Sequence, residues 1–311
     1  MYLMVLRQLE YLVALAREKH FGRAAEACHV TQPTLSAAIR QLEEDLGAPI
    51  IERGHRFIGL TPQGRLALDH AHRILAEAED LRRKIEELDK GLSGRLRLGV
   101  IPTALPIVSH LTAPFYSRYP NVSVTVLSHT SADIQRGIED FEIDAGITYL
   151  DNEPLEHVRA KPIYEEEFVF LTPANGPHAN EQTITWAAAA RAPLCLLTPD
   201  MQNRRIIDGV FRSVGATPKP SVETNSIFNL VSHASSGQWS SIVPRQLLQF
   251  FGIPRNTLAI ELVEPTARRT VGYIVAARDP VSPIARNLIN MQLPDDIVAL
   301  ITPPDKHDFG R

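Results

Sequence analysis

Residues 21–64, FGRAAEACHVTQPTLSAAIRQLEEDLGAPIIERGHRFIGLTPQG, constrain the fold more than any other part of the chain. Ala24, Ala25 and Ala27 give one helix a smooth face that a second helix can approach closely. His29-Val30-Thr31 is a short connection, and Thr31 offers a side-chain oxygen to cap the next helix. Pro33 falls in the first turn of that helix, where its missing N–H costs nothing. Leu35, Ile39, Leu42 and Leu46 share a narrow arc of the helical wheel and are expected to face inward. The opposite arc, near the helix start, carries Pro33, Ser36, Ala37 and Arg40, with Gln32 at its tip. That face is short, uncrowded and hydrogen-bonding, which suits insertion into a DNA major groove. Gly47 and Pro49 stop the helix, and Arg53-Gly54-His55-Arg56 forms the tip of a small hairpin wing.

The net charge of −4 is low for a DNA binder. Its distribution answers the objection, because Arg40, Arg53, His55, Arg56 and Arg65 gather at the recognition helix and wing. Glu43, Glu44 and Asp45 lie past the part of the helix that would enter a groove. At 311 residues and 44% hydrophobic, the chain can bury a sizeable core in two or three domains. No uninterrupted apolar run reaches the roughly 18 residues of a membrane span, and MYLMVLRQLEYL lacks a signal-peptide plan. A soluble, cytoplasmic protein with no membrane partner is expected. Two cysteines, Cys28 and Cys195, stand far apart, which argues against a disulfide and against a two-cysteine thiol switch. Both are expected to behave as small buried hydrophobes.

Along the chain, residues 7–19 read as a first helix with Leu9, Leu12, Val13 and Ala16 on one face. Thr61-Pro62 caps a long helix reaching about residue 92, on which Ala67, Ala71, Ile74, Ala78, Leu81, Ile85, Leu88 and Leu92 alternate in steps of four and three. So thin a stripe on a charged helix predicts pairing with a second copy, with Ile74, Leu81, Ile85 and Leu88 as the dimerisation residues. Residues 91–94 open a hinge. Beyond it, strand and helix patterns alternate, which predicts a mostly parallel sheet in an open α/β lobe, followed by a second series from residue 162. A last strand over 269–277 could cross back to the first lobe, and the tail after Pro303 is polar.

The pattern AAxxxxxTQPTLSxxIxxLExxLGxxxxxRxxRxxxLTxxG resembles the winged helix-turn-helix of LysR-type transcriptional regulators, and the length and lobes behind it fit that family. The resemblance implies an N-terminal all-α winged helix-turn-helix plus an α/β effector domain of two lobes, similar to the periplasmic-binding-protein fold. The expected organisation is a DNA-binding domain at 1–60, a linker and dimerisation helix at 61–92, and an effector domain at 93–311. In the last, lobe I is 93–161 with 265–311, and lobe II is 162–264. Thr31, Gln32, Pro33, Thr34, Ser36, Arg40, Arg53 and Arg56 are the expected DNA-binding residues of a pseudo-palindromic double-stranded site. The resemblance further implies dimers paired into tetramers, DNA bending and control of a neighbouring operon, and leaves RNA polymerase open as a further partner.

In open α/β sheets, ligands collect beyond the carboxyl ends of strands, near helix N-termini. Three such ends carry hydroxyls: Thr103, then Thr130 with Ser131, and Thr198. Residues matching Thr103, Thr130 and Thr198 commonly line the family's effector cleft, and helix capping is an equal role for each. Hydroxyls beside free N–H groups favour a carboxylate or other small anion, with no cofactor. Trp239, in Ala234-Ser-Ser-Gly-Gln-Trp-Ser-Ser-Ile-Val-Pro244, replaces a small residue of the family's Gly-rich segment and is either a pocket wall or core. Ala37 departs from the long polar residue many relatives carry there. His70 and His72 point to different faces of a helix, Cys28-His29 has no second pair at zinc spacing, and no catalytic motif occurs. The rival reading is a ligand-binding protein or enzyme whose N-terminal helices only dimerise. It predicts no salt-sensitive DNA affinity.

Overall fold

A computed structural model describes residues 5–52, 58–90, 92–277 and 281–302, with residues 80 and 83–90 described by their backbone alone. The chain divides into two compact units, residues 1–91 and 92–311.

The first unit is built from α1 (Leu6–Glu18), α2 (Phe21–Ala27), α3 (Gln32–Leu46), the short strands β1 (Ile51–Glu52) and β2 (Gly59–Leu60), and α4 (Pro62–Lys90). Its core gathers Leu9, Leu12, Leu15, Ala24, Ala25, Leu35, Ile39, Leu42, Ile50 and Ala71. Thr31 caps α3, accepting from the Thr34 N–H at 3.4 Å, and Gly47 ends it in the left-handed region at φ 68°. Thr61 caps α4 through the Gly64 N–H at 2.9 Å. A Cβ on Gly64 would stand 2.0 Å from the Ile50 carbonyl oxygen, so only glycine lets α4 pass this close to the β1 backbone.

Two expectations for this unit, the inward face of Leu46 and the single seam of α4, are corrected, and Glu43 takes a role that was not expected. Leu46 is 44% exposed, because α3 ends there and its last turn outruns the core. Glu43 is buried, and its Oε1 accepts from the N–H groups of Ile50 and Ile51 at 2.9 and 3.2 Å. It ties the end of α3 to β1. The apolar seam of α4 also divides: Ala71 is fully buried and Ala67 and Ile74 pack on the unit's own core, whereas Leu81 is 60% exposed. The side chains of Ile85 and Leu88 lie outside the described residues.

The second unit runs β3 (Gly94–Val100), a 3-10 helix (Pro102–Ile107), α5 (Val108–Arg118), β4 (Val122–Ser128), α6 (Ser131–Glu139), β5 (Ala145–Tyr149) and β6 (Val158–Pro173). It continues through β7 (Thr183–Thr185), α7 (Trp186–Ala189), β8 (Cys195–Leu197), α8 (Gln202–Ser213), β9 (Val222–Thr224) and α9 (Ile227–Ser235). β10 (Ser241–Pro244), α10 (Arg245–Phe251), β11 (Thr257–Val263), β12 (Arg268–Ala276), α11 (Pro283–Asn290) and α12 (Asp295–Ile301) complete it.

An eight-stranded sheet has the order β4-β3-β5-β12-β6-β11-β7, with β10 also on β6. β3 is parallel to β4 and β5, as the strand–helix alternation predicts. The expectation of a mostly parallel sheet fails beyond β5, because β12 runs antiparallel to both β5 and β6. β6 also pairs antiparallel with β10 and β11. The reason is that β6 is one 16-residue strand rather than the start of a separate series. Its first part pairs with β12 in one lobe and its second part with β10 and β11 in the other. The polar tail after Pro303 lies outside the described residues.

Candidate DNA-reading helix and interlobe site

The open face of α3 presents Thr31, Gln32, Pro33, Thr34, Ala37 and Arg40 to solvent, with Ser36 half-buried beside them. Thr31 and Thr34 share a hydroxyl contact of 2.8 Å that completes the helix cap. Among the described residues, Gln32, Ser36 and Arg40 have no intramolecular hydrogen bond or ion pair, so their polar groups face outward uncommitted. A short cap followed by uncommitted amide, hydroxyl and guanidinium groups can meet base edges. Arg53 and Arg56, the expected phosphate contacts, lie outside the described residues.

In the second unit, Ile101, Pro102, Thr103, Thr130, Ser131, Tyr149, Leu197, Met201, Gln202 and Asn203 line a narrow cleft between the lobes, with a cavity volume of only about 10 Å³. Each polar group sits where its element begins or ends. Thr130 caps α6, accepting from the Asp133 N–H at 3.1 Å and donating to its Oδ2 at 2.7 Å. Ser131, buried, opens the same helix, and Gln202 and Asn203 open α8. The N-termini of α6 and α8 thus meet the cleft from opposite lobes, which favours negative charge in it.

The cleft floor is a buried hydrogen-bonded chain. Thr103 Oγ1 lies 3.1 Å from the Tyr149 hydroxyl, which accepts from Asn203 Nδ2 at 3.1 Å. Tyr149 donates to Glu166 Oε1, and Tyr164 donates to Glu166 Oε2 at 3.3 Å. Glu166 is fully buried in β6. Burial pushes its carboxyl up to about 7, against the opposing effect of hydrogen bonds from Tyr149, Tyr164 and Thr103. At the cleft mouth, Arg205 of α8 reaches across to Glu153, with Nε–Oε1 at 2.6 Å and Nη2–Oε2 at 2.8 Å. Its Nη2 also lies 3.5 Å from Ser131 Oγ, and Nη1 donates to the carbonyls of Pro199 and Asp200.

Two family descriptions cover most of this architecture. The bacterial regulatory helix-turn-helix of the lysR family matches residues 6–65, and the LysR substrate binding domain matches residues 89–293. The chain belongs to the LysR family of transcriptional regulators. Relatives of this LysR-type regulator control transcription and are not enzymes. The DNA-binding transcriptional dual regulator OxyR of Escherichia coli is 28% identical over 279 residues, covering 89% of this chain and 91% of that protein. The regulator XapR of Escherichia coli is 29% identical over 237 residues, covering 75% and 79%. Among solved structures, a full-length OxyR cysteine variant from Pseudomonas aeruginosa aligns with a TM-score of 0.71 at 27% identity, over 96% of this chain and 97% of that one. The structure of CbnR with its target DNA shares the fold at a TM-score of 0.63 and 21% identity, over 92% and 97%.

For this LysR-type regulator, three of the four expected effector residues, Thr103, Thr130 and Ser131, meet in one cleft. Thr198 is not among its lining residues, and its hydroxyl is buried without a partner. Trp239 does not line the cleft either. It packs on the core of lobe II and stands edge-to-face with His233, ring centroids 5.3 Å apart. Cys195 is buried in β8 and Cys28 is half-buried, and both are free thiols. Sequence reasoning missed Tyr149, Gln202, Asn203 and Glu166. Tyr149 ends a strand and Gln202 starts a helix, so the strand-end rule that found Thr103 reaches them too.

Proposed function

We propose that this LysR-type regulator reads a pseudo-palindromic DNA site and controls a neighbouring operon in response to a small carboxylate or other small anion. In this reading Gln32, Pro33, Ser36 and Arg40 contact base edges, Thr31 and Thr34 hold the start of α3, and Arg53 and Arg56 contact phosphates. Residues 1–60 form the DNA-binding part, 61–92 the dimerisation helix and 93–311 the effector part. Leu81, Ile85 and Leu88 join two protomers, and two dimers form a tetramer. RNA polymerase is a further partner in this scheme, and the cell interior is its setting.

The convergence of the α6 and α8 N-termini on a cleft lined by hydroxyls and amides is the observation that carries the effector reading. Thr103, Thr130 and Ser131 are its contacts. Closing of the lobes around the anion would favour one arrangement of the protein over another.

Relatives are described as hydrogen peroxide-inducible genes activators, and an OxyR from Corynebacterium glutamicum has been solved with peroxide bound. That chemistry does not carry over to thiol switching here. Cys195 is the one cysteine of residues 92–311. It is buried, and burial pushes its thiol up to about 11, so little nucleophilic thiolate forms.

The DNA reading is tested by fluorescence anisotropy with the DNA upstream of the chain's own gene. Arg40→Ala is expected to weaken specific binding by about 1–3 kcal/mol and to reduce discrimination against scrambled DNA. Unchanged discrimination would remove Arg40 from the reading face. The rival reading predicts no loss of DNA affinity between low and moderate salt, whereas a regulator loses it steeply.

A further inference from the structure

Glu166 is used by nothing in the scheme above, although it lies directly beneath the cleft. Its neighbours fix its options. The Tyr149 hydroxyl has one proton and two lone pairs. With Glu166 ionised, Tyr149 gives its proton to the carboxylate and accepts from Asn203 Nδ2, and the Thr103 hydroxyl turns its proton inward, toward Tyr149 and the carboxylate. Thr103 then turns lone pairs toward the cleft. With Glu166 protonated, the chain can run the other way. The carboxyl donates to Tyr149, Tyr149 donates to Thr103, and the Thr103 proton points into the cleft, while Asn203 keeps its bond to Tyr149. Both arrangements satisfy every atom of the chain, so its direction is set by one proton.

We propose that Glu166 is a proton-linked positioning residue that sets, through Tyr149 and Thr103, whether the cleft floor donates hydrogen bonds to the effector or accepts them. This rests on the cleft being the effector site. A small anion, which needs donors, then binds with uptake of one proton from solvent onto Glu166. A cationic ligand, which needs acceptors, binds with Glu166 ionised.

The groups facing Glu166 leave it as the titrating member. Tyr149 on β5 and Tyr164 on its own strand are held well above the usual phenol range, first by burial and then by the carboxyl itself. Arg269 of β12 stands opposite in the strand register, with its Nη1 bonded to the Arg268 carbonyl at 2.6 Å. Thr103 of the 3-10 helix and Asn203 of α8 do not ionise. Glu165 and Glu167 take the opposite face of β6, where Glu167 meets Arg245 at 3.2 Å and Arg268 at 2.7 Å.

The test uses the full chain with acetate and methylammonium as probes, followed by thermal shift at pH 6 and pH 8. A group titrating near 7 passes from mostly protonated to mostly ionised over that interval. Acetate is therefore expected to bind roughly ten-fold more tightly at pH 6 than at pH 8, and methylammonium to show the opposite slope. Glu166→Gln, a fixed carboxyl-like donor, should bind acetate with no pH dependence, and Tyr149→Phe should lose the slope while keeping the carboxyl. Acetate binding that is flat in the wild type, or a slope that survives in both variants, overturns the relay and leaves the effector site standing. If neither probe shifts melting in any of the three proteins, the effector site fails and the relay with it. A ligand-free readout stands beside these. Infrared difference spectra of wild type minus Glu166→Gln should show a protonated carboxyl band at pH 6 that fades by pH 8, and its absence at pH 6 overturns the proposal.

Discussion

Glu166 lies in the run Glu165-Glu166-Glu167, which on its face is a solvated charge cluster. Strand alternation separates the three: Tyr164, Glu166 and Phe168 turn inward, while Glu165 is exposed and Glu167 half-buried. A buried acid with a raised folded-state value stabilises the fold when protonated and destabilises it when ionised. The sign follows directly, since its contribution is full below the unfolded value near 4.5 and is lost as pH rises through about 7. The ceiling on that loss is about 3 kcal/mol. Chemical unfolding of the wild type should therefore show stability falling between pH 5 and pH 8, and Glu166→Gln should flatten that fall. Equal slopes in the two proteins would mean that Glu166 keeps an ordinary value in the fold. At this scale the sequence was only partly legible. Thr31, Gln32 and Arg40 could be placed because capping and helical spacing are local. The bond between Tyr149 and Asn203 could not, since it joins residues 54 apart in sequence.

Elements were read more securely where one periodic pattern governed them. α3 and α4 begin where their caps predict, and β4 begins and ends where its alternation does. The α4 seam shows the limit of such reading. A heptad stripe records that one face is buried, not against what. Ile74 and Ala71 are taken by the unit's own core, whereas Leu81 remains open. The two readings separate on mutation. Ile74→Asp places a charge against that core and should cost about 2–3 kcal/mol in chemical unfolding. Leu81→Asp should instead shift sedimentation toward the monomer, with little change in secondary structure. Self-association that is unaltered by Leu81→Asp would remove this part of α4 from the protomer interface. Sequence reasoning did not anticipate the short elements β7, β10 and α7, which have few residues to set a period, nor β11 and the helices α10, α11 and α12.

At the scale of the effector unit, two long strands carry both lobes. β6 and β12 pair along nine residue positions, and β6 runs on to pair with β10 and β11. The closure proposed above would therefore leave most of these backbone hydrogen bonds in place, with the cross-cleft contacts setting how far the lobes part. Those contacts include the Arg205–Glu153 pair, the Arg205–Ser131 and Thr148–Gln202 contacts and the Asn203–Tyr149 bond, none of which involves sulfur. Cys195 sits instead within the lobe II core between β8 neighbours, shielded from both solvent and cleft. Treating the full chain with hydrogen peroxide, at doses short of unfolding it, should leave its DNA affinity unchanged in anisotropy. Cys195→Ser should behave as the wild type does in the same titration. A peroxide-dependent change in DNA binding that Cys195→Ser abolishes would show that β8 opens enough to expose its thiol, and would move control of this protein from the hydrogen-bonded cleft floor to that sulfur.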